Sequence, residues 1–185
     1  MNLRKKIKEV DIKCSYIFPK YYHHKLFSNF MKIITGVGDF GMIWLVLILS
    51  LSLHTKTQLL SQKMLTALLL ATIIGQVTIK SLVKRKRPCH TFHDVNMLVA
   101  IPSDYSFPSG HTASSFACAT VICFFYPKVG AFYILFSFLM AFSRLYLFVH
   151  YLSDIIFGMI LGIGVGIITM MLSKNVIFQH AFFIT

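Results

Sequence analysis

Long apolar runs alternate with short polar connections from about residue 33 onward in this 185-residue chain. Each run offers close to the roughly 17–25 residues that a helix needs to cross a bilayer. A helix satisfies its own backbone polar groups, which a lipid-exposed segment must do. The pattern therefore predicts an all-α integral membrane bundle of about five transmembrane helices, over residues 33–53, 64–83, 109–126, 129–149 and 153–172.

The segments that flank these runs differ in character. Residues 1–32 mix Lys and Arg with aromatic side chains, and no apolar run typical of a signal peptide follows the charges. This composition predicts a basic amphipathic segment that lies on the membrane surface. The expected organisation is thus a surface segment over 1–32, a transmembrane domain over 33–172 and a short tail over 173–185.

Composition agrees with a membrane protein and adds a strong positive charge. Hydrophobic residues make up 56% of the chain and charged residues 13%, whereas a typical globular protein has about 25% charged residues. Lys and Arg outnumber Asp and Glu by 18 to 6, which gives a net charge of +12. We expect membrane lipids and an anionic substrate as partners. Nucleic acid is not expected, because the basic residues flank hydrophobic spans instead of forming a solvated face.

Several ionisable residues stand where a membrane makes them costly. On insertion scales, Lys, Arg or Asp at the helix centre costs about 2.5–3.5 kcal/mol. Alternating helix direction would bring the span ends that carry these residues to the same face as the polar connection 84–107. We therefore expect convergence there of Lys80, Arg87, His111, Arg144, His150 and Asp154.

The expected cluster has the chemistry of an oxyanion site. Lys80, Arg87 and Arg144 are three cations suited to a tetrahedral oxyanion, and the Arg side chains can bind it bidentately. The segment 108–112 opens the third predicted helix, whose first N–H groups suit a phosphate. Gly110 in that segment allows close backbone approach.

His150 and Asp154 are four residues apart and share a face if both are helical. A carboxylate bonded to Nδ1 would fix the tautomer and leave Nε2 free to attack. His111 is then available as a general acid. Each residue alone has an ordinary interpretation, such as an interfacial His or a snorkelling Lys, but their combined spacing favours a catalytic site.

Three motifs together resemble a known signature. They are Lys80-x6-Arg87-Pro88, Pro108-Ser109-Gly110-His111 and Ser143-Arg144-x5-His150-x3-Asp154. In order and spacing they resemble the type 2 phosphatidic acid phosphatase family, which shares its site with the vanadium haloperoxidases. The resemblance implies a helical membrane bundle and a phosphatase that needs neither a metal nor another cofactor.

The resemblance also implies a role for each residue of the motifs. His150 would be the nucleophile that forms a phosphohistidine, Asp154 its partner, and His111 the acid for the leaving group. The phosphate would be held by Lys80, Arg87, Ser109, Gly110 and Arg144. The four cysteines show neither a disulfide framework nor the spacing of a zinc site.

Short bacterial members of the family are similar to undecaprenyl diphosphate phosphatases and to phosphatidylglycerophosphate phosphatases. The small size of the chain favours conversion of undecaprenyl diphosphate to undecaprenyl phosphate, with phosphatidylglycerophosphate or phosphatidate as the alternative. A lipid phosphotransferase is a further class. Its acceptor pocket would lie in the connection 84–107, which otherwise reads as a solvated loop and contains His90, His93, Asp94 and Asp104. The intact signature disfavours a non-catalytic scaffold or transporter.

The orientation in the membrane is indicated in two opposed ways. All Lys and Arg except Lys56, Lys63, Lys128 and Lys174 fall on the side of the predicted site, so the positive-inside rule places that site in the cytoplasm. The resemblance instead implies a multi-pass protein of the bacterial cytoplasmic membrane whose site faces outside. Several of the counted cations belong to the site, so the count is biased.

Overall fold

The computed structural model describes residues 3–172, and this part of the chain is helical without any β-strand. The helices are α1 Leu3–Ser15, α2 Lys25–Val37, α3 Met42–Ser52, α4 Gln58–Thr72, α5 Lys80–Val83, α6 Pro88–Thr91, α7 Gly110–Phe125, α8 Pro127–Tyr146 and α9 Leu152–Met171. A π-helical segment, Ile73–Ile79, joins α4 to α5. The all-α fold class predicted from the sequence is confirmed.

Helix α7 lies at the centre of the bundle and contacts α4, α8 and α9. Residues 115–122 of α7 are all buried. The contact between α7 and α9 is close because α9 presents glycines at every fourth position. A Cβ on Gly158 would lie 2.8 Å from the Ser109 carbonyl oxygen, and one on Gly166 would lie 2.7 Å from Thr120 Cβ. Small residues at this spacing let helix backbones approach in a membrane.

The helices vary in how well they match a bilayer. By length and composition, three helical stretches of the described part can cross a membrane: Thr55–Thr91, which includes α4 to α6, and the helices α8 and α9. The bent pair of α2 and α3 makes a fourth. The third predicted span, 109–126, is the 16-residue helix α7. At about 1.5 Å per residue it reaches roughly 24 Å, which is short of a hydrocarbon core of about 30 Å. Because its neighbours surround it, α7 has little contact with lipid.

The first predicted span, 33–53, is not one continuous helix. A bend of 49° separates α2 from α3, and within it Phe40 and Gly41 have positive φ values of 53° and 70°. The left-handed region suits Gly but is uncommon for Phe. The bend places Asp39 beside the N-terminal turn of α7, where it contacts His111.

The N-terminal residues form helices. Helix α1 is mostly exposed and buries Asp11 and Ser15 on one side. Helix α2 runs across the predicted boundary between residues 32 and 33. The predicted tail, 173–185, lies outside the described residues.

Candidate active site

His150 lies in the linker between α8 and α9, and its side chain is 1% exposed. Phe148 in this linker has a positive φ of 60° and is fully buried. The Nε2 atom of His150 is 2.9 Å from Nη1 of Arg87. Because a guanidinium can only donate, we assign the lone pair to Nε2 and the proton to Nδ1. The ring therefore presents its unprotonated nitrogen to the cationic side of the site.

Asp154 faces the other nitrogen of the ring, but at a distance. Its Oδ2 lies 3.6 Å from His150 Nδ1, which exceeds a hydrogen bond. Oδ2 instead accepts from the Tyr151 amide at 2.9 Å, and Oδ1 accepts from Nη1 of Arg85 at 2.7 Å. The carboxylate is fully buried, so it is fixed beside the imidazole by groups other than the imidazole.

Lys80 and Arg87 are brought together by a shared carboxylate. Lys80 Nζ lies 2.6 Å from Asp104 Oδ2, and Arg87 Nη2 lies 2.6 Å from Asp104 Oδ1. Both cationic side chains are nearly buried, whereas Asp104 is 50% exposed. Arg87 also donates from Nη1 to the Val149 carbonyl at 2.8 Å. The two cations thus form one cationic corner next to His150, and the Asp104 carboxylate occupies it.

Arg144 supplies a third buried cation. Its Nη1 donates to the Thr35 hydroxyl of α2, and its Nε has no hydrogen-bond partner although it is buried. An unpaired buried donor is costly. An oxyanion bound in the site could satisfy this donor.

The residues that begin α7 lie at the same end of the bundle. Ser109 is the N-cap of α7, and its hydroxyl accepts from Thr112 at 2.9 Å. No side chain caps the first turn, whose N–H groups have no partner within the helix. A Cβ on Gly110 would lie 2.5 Å from Gln76 Nε2. The Gln76 amide therefore covers Gly110, and its buried Nε2 has no hydrogen-bond partner.

His111 is oriented by a carboxylate from the bend between α2 and α3. Its Nε2 lies 2.9 Å from Asp39 Oδ1. Gly38 makes room for the ring, since a Cβ there would lie 2.8 Å from His111 Cδ2. Asp39 thus fixes the orientation of the His111 ring at the start of α7.

Burial and the surrounding positive charges determine the protonation of His150. Burial, followed by the positive charges of Arg87 and Arg144, lowers the pKa of His150 well below its usual range. The ring is therefore neutral at neutral pH, as a nucleophile must be. Partial burial acts to raise the pKa of Asp104, but the hydrogen bond from Lys80 and the charge of Arg87 outweigh it and lower that pKa to about 2.

Sequence reasoning did not identify several residues that contact the site. The sequence places Asp104 in a solvated loop or an acceptor pocket, yet it binds Lys80 and Arg87. Asp39, Gln76 and Arg85 are further examples. The sequence could have indicated each of these three. Asp39 and Gln76 are polar residues within predicted spans, and Arg85 lies inside the first motif.

The four residues that would form an acceptor pocket do not share partners. Asp94 accepts from the Tyr16 hydroxyl at 2.8 Å, while Asp104 binds the two cations. His90 and His93 form no hydrogen bond with either carboxylate, and His93 is exposed. Within residues 3–172, His, Cys, Asp and Glu form no group of three that could hold a metal ion.

A family model described as the PAP2 superfamily matches residues 62–178, which include all three motifs. Two curated relatives are similar over much of the chain. The bacitracin transport permease protein BcrC of Bacillus licheniformis is 28% identical over 84% of this chain and 78% of its own length. The undecaprenyl-diphosphatase of Sulfolobus acidocaldarius is 25% identical over 72% of this chain and 65% of its own length.

A solved structure shares the fold. The crystal structure of Aquifex aeolicus LpxE superposes with a TM-score of 0.75 at 27% sequence identity, and the match covers 86% of this chain and 94% of that one. The helical fold of this chain is thus shared with a solved structure over most of both chains.

Proposed function

Because the chain belongs to the PAP2 superfamily, we propose that it is a membrane lipid phosphatase that converts undecaprenyl diphosphate to undecaprenyl phosphate through a phosphohistidine at His150. The observation that carries this proposal is the 2.9 Å contact between His150 Nε2 and Arg87. It aims an unprotonated, neutral nitrogen at the place where cations would hold a phosphate.

The reaction would proceed in two displacements. His150 Nε2 attacks the terminal phosphorus, and the bond from phosphorus to the bridging oxygen breaks. The released lipid monophosphate takes a proton from His111. Water then attacks the phosphohistidine and releases inorganic phosphate, with His111 accepting the proton from that water. Asp154 would stabilise the positive charge that the ring acquires in the intermediate.

The phosphate would be held by the surrounding cations and donors. Lys80, Arg87 and Arg144 supply positive charge, and the first N–H groups of α7 at Gly110 supply backbone donors. Ser109 adds a hydroxyl. Preorganised donors of this kind stabilise the charge that develops on a transferring phosphoryl group.

The preference for a polyprenyl substrate is supported by the name of the Sulfolobus relative. Phosphatidylglycerophosphate and phosphatidate are the alternative substrates. The protein is a multi-pass membrane protein, and we propose the bacterial cytoplasmic membrane with the site facing outward.

A substrate panel in detergent tests the proposal. Phosphate release would be compared for undecaprenyl diphosphate, phosphatidylglycerophosphate and phosphatidate, without any acceptor lipid. We expect turnover of undecaprenyl diphosphate by the wild type and none by His150→Ala. Phosphate release from only one of the other two lipids would identify that lipid as the substrate. Turnover that requires an added acceptor lipid would indicate a phosphotransferase. If no phosphate is released from any of these lipids, the proposed phosphatase activity is wrong.

A further inference from the structure

Helix α1 presents one buried carboxylate to the bundle. The Asp11 side chain is 2% exposed, whereas Glu9 on the same helix is exposed. Asp11 Oδ1 accepts from the Ser153 amide at 2.9 Å, and Oδ2 accepts from the Ser153 hydroxyl at 2.6 Å. An N-terminal segment thereby supplies the hydrogen-bond acceptor that the first turn of α9 requires.

Arg85 links Asp11 to the carboxylate beside His150. Its Nη2 lies 2.7 Å from Asp11 Oδ2, and its Nη1 lies 2.7 Å from Asp154 Oδ1. The guanidinium also lies over the Tyr151 ring, 4.0 Å from the ring centroid. A planar guanidinium bound at both ends and stacked on one face has little rotational freedom. It therefore fixes where Asp154 Oδ1 lies.

We propose that Asp11 and Arg85 are positioning residues for Asp154. The N-terminal helix α1 therefore helps to build the active site, because it carries Asp11. This inference rests on the proposed function, in which Asp154 stabilises the positively charged ring of His150. Arg85 alone would neutralise Asp154. Asp11 offsets that effect, because two carboxylates around one guanidinium leave a net negative charge facing His150.

The position of the Asp154 carboxylate depends on Arg85 and not on His150. Its carboxylate is 3.6 Å from His150 Nδ1, so the imidazole does not hold it in place. Arg85 and the Tyr151 amide do so instead. Removing the charge of Asp11 should let Arg85 bind Asp154 more strongly and weaken the stabilisation of the His150 cation.

The test compares Asp11→Asn with Glu9→Gln, which removes the same charge from the exposed side of the same helix. We expect Asp11→Asn to lower kcat about 10- to 100-fold, the range found when a partner that orients a metal-binding residue is removed, with KM changed less than about 2-fold. The acid limb of kcat/KM should move to lower pH, because the His150 cation loses stabilisation. Glu9→Gln should match the wild type in all three measurements.

A double-mutant cycle separates positioning from folding. If Asp11 acts through Arg85, Asp11→Asn should have little further effect in an Arg85→Gln background. Inhibition by orthovanadate, measured on each variant, reports whether the anion site is intact. Equal kcat values for Asp11→Asn and Glu9→Gln would overturn the inference, as would parallel loss of kcat and vanadate binding. If the wild type releases no phosphate from lipid substrates, the proposed function fails first, and the inference falls with it.

Discussion

The Asp104 carboxylate binds Arg87 through one oxygen and Lys80 through the other, each at 2.6 Å. These are two of the cations that we propose for phosphate binding. Asp104 is half exposed, so it can leave the corner without unfolding the bundle. A phosphate that enters must therefore compete with a carboxylate already present.

The first prediction concerns this competition. Asp104→Asn should tighten inhibition by inorganic phosphate or orthovanadate by about 10-fold, since a hydrogen bond to a charged group contributes about 1.5–3 kcal/mol. The inhibition constant in detergent is the measurement. Asp94→Asn, in the same connection but bonded to Tyr16, is the control and should leave the constant unchanged. Weaker inhibition in Asp104→Asn would show that Asp104 assists anion binding.

A second prediction concerns metal dependence. Phosphate release should persist after treatment with EDTA, because the proposed chemistry uses side-chain cations where other phosphatases use metal ions. The measurement is the rate before and after chelation, followed by a repeat with added Mg²⁺ or Zn²⁺. Loss of activity on chelation, restored by one of these ions, would contradict the proposed chemistry.

The sequence predicted the helices better than their breaks. Hydropathy located every long apolar segment, but it averages over residues and cannot detect the bend at Phe40 and Gly41. Spacing also indicated which residues of the three motifs would converge, since each motif lies at a span end. Contacts such as that of Arg85 with Asp11 join residues 74 positions apart, and Asp11 lies outside the three motifs. They depend on how α1 docks, which no local pattern records.

The third prediction follows from the lowered pKa of His150. The unfolded chain has the ordinary His pKa of about 6.5, so below that pH it binds more protons than the folded protein. The neutral ring thus contributes stability that is complete above about pH 6.5 and is lost as the pH falls toward the folded pKa. The free energy of unfolding should decrease with falling pH, by up to about 1.4 kcal/mol per pH unit for one proton.

Thermal unfolding in detergent from pH 7.5 to pH 5.0 measures this dependence. His150→Ala should show a flatter decrease than the wild type, whatever its stability at pH 7.5. His93→Gln, at an exposed position, should keep the wild-type slope. An unchanged slope in His150→Ala would mean that His150 does not carry the linked proton.

The last prediction concerns the contact that sets α9 against α7. A Cβ on Gly162 would overlap the Ala113 carbonyl oxygen, and it would lie 2.9 Å from Phe116 Cβ, whereas a Cβ on Gly164 would meet nothing within 4 Å. Gly162→Ala should therefore force the two helices apart and destabilise the protein by about 1–3 kcal/mol. Gly164→Ala should be neutral or should stabilise by roughly 0.5–1 kcal/mol, because Ala is the better helix former. Thermal unfolding of the two variants in the same detergent separates these outcomes.

Because α7 begins at Gly110 and α9 carries Asp154, Gly162→Ala should also lower kcat at temperatures where it remains folded. Equal stability and equal kcat for the two alanine variants would show that close packing at Gly162 does not align the two halves of the site.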